Sequence, residues 1–384
     1  MASPGELMAA AVERTGLDDF GDESFREGLD ILVTALRDEA RLNERGGGFI
    51  YARIGTHLRQ RLQVEDWYRR HPEIDDVTID APLFGLGLPR TGSTALSFLL
   101  AQDPHVRYLR SWESAEPCPP PSTVQGDDPR IPPEQRAVMV GSRHHVPTDI
   151  HGPMECLDLM ALDFKSQIFQ AFAQIPSYSE WLVGRADFTS TYAYQRRVLK
   201  LLQWGERTRP WRLKSPAHVL SLDHLDRVFP DARFVMTHRD PTDVLLSVAD
   251  VYADIAGGFT DHLDRRYLGE LNVRHWSVGV DRAVKFRDGG ADHRFFDIDF
   301  RAMQADPIGE VRRLYAWLDE PVTDEFEVGM RTWWTENAEK REPHTHADPE
   351  TFGLDLNSVR PLFASYVEHS QRWTAMKGER SHGN

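Results

Sequence analysis

The stretch PLFGLGLPRTGSTALSFLLA, residues 82–101, constrains what this chain can fold into more than any other part of it. An apolar run, a glycine-bearing turn and a second apolar run read as strand, turn and helix. Such a turn points the first N–H groups of the helix at an anion. Phosphate loops of the form GxxxxGK[ST] share the pattern, and here Gly87, Gly92 and Thr94 keep its spacing. Ser93, however, stands where the lysine belongs. That lysine bridges the β- and γ-phosphates of ATP beside Mg²⁺, so a turn without it is suited to a different anion. Arg90 offers a planar fork of donors instead, and Ser93 and Thr94 add hydroxyls at the helix start.

The rest of the chain places this turn in a sheet. Candidate strands are 81–88, 105–110, 211–215, 232–238 and 293–300, and helical patterns separate most of them. That alternation predicts an α/β fold, a three-layer sandwich with a central parallel sheet. Before it, residues 1–78 read as a helical segment packed on the core: Phe25, Leu29, Leu32 and Leu36 form one apolar stripe, Gly46 to Gly48 punctuate the pattern, and Pro72 ends it. Residues 79–384 then form the main domain. Within it, 114–204 is an interruption that opens with a proline-rich connection (114–135) and continues as a helical insertion, placed to shape a pocket.

With 45 basic against 60 acidic residues, the chain carries a formal charge of −15 and shows no basic stripe, which argues against a nucleic-acid partner. An anion site must be a local basic pocket. No apolar run approaches the roughly 18 residues of a membrane span, and the N-terminus lacks a secretory signal, so a soluble, cytoplasmic protein is expected. Cys118 and Cys156 have no CxxC spacing and read as reduced, structural thiols. Oligomeric state is not legible.

Two further segments carry charge to the carboxyl edge of the expected sheet, where open α/β sheets bind ligands. In ARFVMTHRDPTDVLLS a strand ends at Arg239, Asp240 caps the next helix, Pro241 takes its first position, and Asp243 sits where a capping-box acid belongs. Ser247 lies two turns further on. In WRLKSPAH, Lys214 ends a strand and Ser215-Pro216 opens a helix. Alone, Arg239 has a surface or structural ion pair as its lesser alternative reading, and Lys214 reads as an ordinary surface charge.

Together LPRTGST, LKSPAH and THRDPTDVLLS, in that order, resemble the sulfotransferases that use 3′-phosphoadenosine 5′-phosphosulfate (PAPS), and more closely the bacterial sulfotransferase family, whose C-terminal segment FGLDLNSVRPLFASY (352–366) resembles. The resemblance runs from about Ile79 to Phe363 and implies a P-loop NTPase-like sulfotransferase fold with PAPS as co-substrate and no metal. By position it gives the 5′-phosphosulfate to Arg90, Thr91, Gly92, Ser93 and Thr94, and the 3′-phosphate to Arg239 and Ser247. Members often have lysine where this chain has Arg90.

Sulfuryl transfer also needs a base for the acceptor's proton and positive charge near the moving sulfonate. The glycosaminoglycan branch of the superfamily places a glutamate where this chain has Glu113 and a lysine-serine-proline motif like Lys214-Ser215-Pro216. The resemblance thus implies Glu113 as base and Lys214 as electrostatic partner. His218 is the rival base, since cytosolic sulfotransferases carry a histidine close behind the equivalent lysine; here four residues separate the two, one turn into the following helix. The expected acceptor is a small apolar, aromatic or lipid molecule bearing a hydroxyl. Met160, Phe164, Phe169, Phe172 and Trp181 fit an apolar wall for it, or equally a helical core. His151 and Glu155 read as lining that pocket; with Cys156, or with His344 and His346, they lack the spacing of a metal site. Two other readings stay open: a P-loop kinase-like phosphotransferase, and a non-catalytic nucleotide-binding relative.

Overall fold

The computed structural model describes residues 2–131, 149–337 and 347–380; His344, His346 and positions 132–135 of the expected proline-rich connection lie outside them. Helices α1 (Pro4–Thr15), α2 (Phe25–Asp38) and α3 (Glu44–Arg70) come first. Strand β1 (Leu83–Gly87), α4 (Ser93–Leu100), β2 (Arg107–Tyr108) and α5 (Ser111–Ala115) follow. Next come α6 (Leu157–Ala161), α7 (Ile168–Phe172), α8 (Pro176–Gly184) and α9 (Thr189–Gln203). The chain then runs through β3 (Trp211–Lys214), α10 (Leu222–Val228), β4 (Arg233–His238), α11 (Pro241–Ala256), α12 (Arg265–Phe286) and β5 (Phe295–Asp299) before its last helices. Two compact units result, one of residues 1–80, 109–209 and 252–264, the other of 81–108, 210–251 and 265–384.

The second unit holds the sheet, in the order β2-β3-β1-β4-β5, with every pair parallel. The expected parallel α/β sheet is therefore present, and all five expected strands appear, although 105–110 shortens to Arg107–Tyr108. Strands buried on both faces read as continuous apolar runs, which is why Leu83–Gly87 is buried at every position. After β1 the chain builds one side of the sheet, and after β3 it crosses to the other. The carboxyl end of β1 is thus the point where the strand order reverses, the place at which open α/β sheets bind ligands. One face packs on Leu96, Leu99, Met303, Val311, Leu314 and Phe326, against which Trp333 and Trp334 also rest.

The first unit is helical. Its centre is Arg61, fully buried, whose guanidinium donates to the carbonyls of Phe20, Asp22 and Leu162 at 3.0–3.1 Å between the rings of Phe25 and Tyr194. Arg61 spends its donors on backbone oxygens that would otherwise be buried without partners. Gly46 to Gly48 do not interrupt the helical pattern as expected; they form the first turn of α3, which Asn43 caps by accepting from the Gly46 N–H at 2.8 Å. Glycine at 46 is a packing requirement: a Cβ there would lie 2.2 Å from the Phe259 carbonyl oxygen. Met160, Phe164, Phe169 and Trp181 are buried, with Phe164 and Phe169 stacked at 6.1 Å. These residues form this unit's core and offer no exposed apolar wall.

Candidate functional site

The turn between β1 and α4 has a backbone that few residues tolerate. Gly87, Arg90 and Gly92 have φ of 129°, 63° and 88°. At Gly87 a side chain is excluded twice, by that φ and by the Thr237 carbonyl oxygen, 2.6 Å from where a Cβ would sit. Thr91 is fully buried, and its hydroxyl donates to the Leu88 carbonyl at 2.7 Å and lies 2.6 Å from the Thr237 hydroxyl. Its side chain therefore clamps the turn to β4. Ser93 opens α4 and is 6% exposed.

Three charged side chains converge on this turn. Lys214, at the end of β3, is 6% exposed and donates from Nζ to Thr94 Oγ1 at 3.3 Å. Its stem passes Gly85, where a Cβ would stand 3.1 Å from Lys214 Cγ. Arg90 donates from Nε to Ser247 Oγ on α11 at 3.1 Å, tying the turn to that helix. Arg239 donates to the Arg90 carbonyl at 3.1 Å and stacks over Phe300 at 4.7 Å. Asp240 caps α11, accepting from the Thr242 N–H at 2.8 Å. Asp243 lies 3.6 Å from the Arg239 guanidinium. The structure thus gathers Arg90, Ser93, Thr94, Lys214, Arg239 and Ser247 at one sheet edge. Thr237, Phe300 and Gly85 also shape it; they carried no sequence signal, because their parts depend on cross-strand neighbours.

The two candidate bases are placed differently. Glu113 belongs to the helical unit, on α5, and is fully buried; Oε2 accepts from the Arg110 N–H at 3.0 Å, and Oε1 lies 3.5 Å from the Arg110 guanidinium. His218 sits in a 3₁₀ turn, Pro216–Leu220, not one turn into an α-helix, and is fully buried with its ring edge-on to Phe84 at 5.1 Å. Burial, with a smaller push from Lys214, lowers its pKa to about 3. His151 and Glu155 are half-buried, and among the described residues no group of three or more His, Cys, Asp or Glu side chains is arranged to hold a metal. No described helix is long and apolar enough to cross a membrane.

His57, on α3, shares this condition, with its pKa lowered to about 3 chiefly by burial. In an unfolded chain both histidines take up protons near pH 6.5, whereas the folded forms resist until about pH 3. Stability is therefore full above pH 6.5 and falls as pH drops below it, by up to about 1.4 kcal/mol per pH unit for each histidine. Denaturant midpoints measured from pH 7 to 5 should fall steadily, and His218→Gln should flatten the slope. A midpoint constant across that window would contradict the burial described here.

Similarity to known proteins agrees with this geometry. The structure of sulfotransferase STF9 from Mycobacterium avium matches with a TM-score of 0.89 and 33% identity, covering 96% of this chain and 97% of that one. Sulfotransferase STF1 from Mycobacterium tuberculosis H37Rv matches with a TM-score of 0.81 and 29% identity, covering 95% and 99%. The omega-hydroxy-beta-dihydromenaquinone-9 sulfotransferase Stf3 of Mycobacterium bovis is 25% identical over 260 residues, which span 64% of this chain and 64% of that relative's length. The profile of the sulfotransferase family matches residues 82–324, more than half of the chain, which belongs to that family.

Proposed function

We propose that this protein is a PAPS-dependent sulfotransferase that moves the sulfonate group to a hydroxyl of a small, apolar acceptor. The observation that carries the reading is Lys214 Nζ at 3.3 Å from Thr94 Oγ1, beside a turn whose own lysine is replaced by Ser93. A cation is kept at the turn but comes from the neighbouring strand. That suits a donor with a single phosphate-linked sulfonate better than a triphosphate chelated to magnesium. Family membership and the fold of STF9 and STF1 support the same reading.

The residues fit such a donor. Ser93 and Thr94 are the first two residues of α4, and the N-terminus of a helix favours an anion. Arg239, held by the Arg90 carbonyl and the exposed Asp243, is the group to take the 3′-phosphate, with Ser247 beside Arg90. PAPS supplies an activated sulfonate on a phosphate leaving group. Lys214 and Arg90 offset the negative charge that gathers between the two, and Glu113 takes the proton of the attacking hydroxyl. His218 is assigned to the core, since a buried ring with a pKa of about 3 is a poor proton acceptor near neutrality. The acceptor is of the class named for Stf3, an apolar molecule bearing a hydroxyl.

Arg239→Ala tests the donor reading. One charge-assisted contact to phosphate contributes roughly 2–3 kcal/mol, so adenosine 3′,5′-bisphosphate should bind about 30- to 150-fold more weakly in calorimetry. AMP, lacking the 3′-phosphate, should bind both forms within about threefold. Equal loss for both nucleotides would remove the 3′-phosphate from Arg239.

A further inference from the structure

Leu36 and Arg37 near the end of α2, Arg41 and Leu42 in the connection, and Gly47 and Tyr51 on α3 enclose an open cavity of about 370 Å³. This volume is within the roughly 300–1,000 Å³ of small-molecule sites, and none of these residues has a part in the reaction above. The cavity has apolar walls, and Tyr51 lines it with its ring, its hydroxyl oxygen being shut off from solvent.

The rim is cationic. Arg37 is matched by its neighbour Asp38 at 2.7 Å, but Arg41 is exposed and forms no ion pair among the described residues. Arg41 also has a φ of 45°, in the left-handed region that side-chain-bearing residues seldom adopt. Thr260 holds it there, donating to the Arg41 carbonyl at 2.7 Å and bridging Leu42, while the Asn43 N–H donates to the Phe259 carbonyl at 2.9 Å. At Gly47 there is open space where a Cβ would be.

We propose that this cavity is a second ligand site, for an amphipathic anion: an apolar chain ending in one carboxylate or sulfate group. Arg41 receives the charge, and Leu36, Leu42 and the Tyr51 ring line the chain. A sulfate ester would be the chemical class of the protein's own product, a carboxylate that of a fatty acid. The two head groups separate these sources.

The test is calorimetric titration of the full chain with octyl sulfate and with octanoate, each below its micellar concentration, against 1-octanol and inorganic sulfate. One equivalent of at least one octyl anion should bind, at least tenfold more tightly than octanol or inorganic sulfate. Arg41→Gln should weaken that binding about tenfold, and Gly47→Trp, whose indole fills the space, should abolish it. Thermal melts and adenosine 3′,5′-bisphosphate titrations on the same samples read folding and the donor site separately. They keep failure here distinct from failure of the sulfotransferase reading. No binding of either anion, equal binding of octanol, or undiminished binding in folded Gly47→Trp would overturn the proposal.

Discussion

Lys214→Met is expected to lower turnover about a thousandfold while leaving adenosine 3′,5′-bisphosphate affinity within about threefold of wild type. Removing a fixed donor aimed at charge that develops in a transition state typically costs 10²–10³ in rate, because the interaction acts in a site sheltered from water. Lys214 is 6% exposed and points its amine at Thr94 from the end of β3. Adenosine 3′,5′-bisphosphate, the nucleotide product, carries no sulfonate, so its affinity should depend little on this contact. Methionine preserves the stem that packs beside Gly85, so the melting temperature should hold. Turnover within tenfold of wild type would give Lys214 a structural part only.

Glu113 calls for a paired comparison, because its carboxylate already caps α5. Glu113→Gln keeps an oxygen that accepts from the Arg110 N–H but removes the proton acceptor. Glu113→Ala removes both. If Glu113 is the base, both variants should lose turnover by about a thousandfold, within the 10²–10⁴ that general base catalysis supplies, and both should bind adenosine 3′,5′-bisphosphate normally. Glutamine should then rescue stability without rescuing rate. Near-normal turnover in Glu113→Gln, with only the alanine variant impaired, would leave Glu113 as a helix cap and place the base elsewhere.

The sheet was legible because its strands are buried on both faces, and such strands stand out as short apolar runs; β4, buried from Phe234 to His238, is the plainest case. The phosphate turn was legible because its glycines answer a backbone demand, seen in the φ values of Gly87 and Gly92. What escaped the sequence depends on neighbours remote along the chain. Gly46 looks like a break until the Phe259 carbonyl is seen against it, and nothing near Thr91 in the sequence shows that its hydroxyl meets Thr237. Asp243 has the spacing of a capping residue, and only the structure shows it 3.6 Å from the Arg239 guanidinium. His218 has a base's position in the sequence, but the 3₁₀ turn after Ser215 directs its ring onto Phe84.

The central claim is that the edge formed by the β1 turn, Lys214 and Arg239 holds a nucleotide bearing a 3′-phosphate. Its most direct test is calorimetric titration of the wild-type protein with adenosine 3′,5′-bisphosphate, AMP and ATP, without added metal and again with Mg²⁺. The account predicts binding of the bisphosphate at least about thirtyfold tighter than AMP or ATP, unchanged by Mg²⁺. Preference for ATP in the presence of Mg²⁺, or equal affinity for AMP and the bisphosphate, would contradict it and return the turn to a phosphotransferase reading.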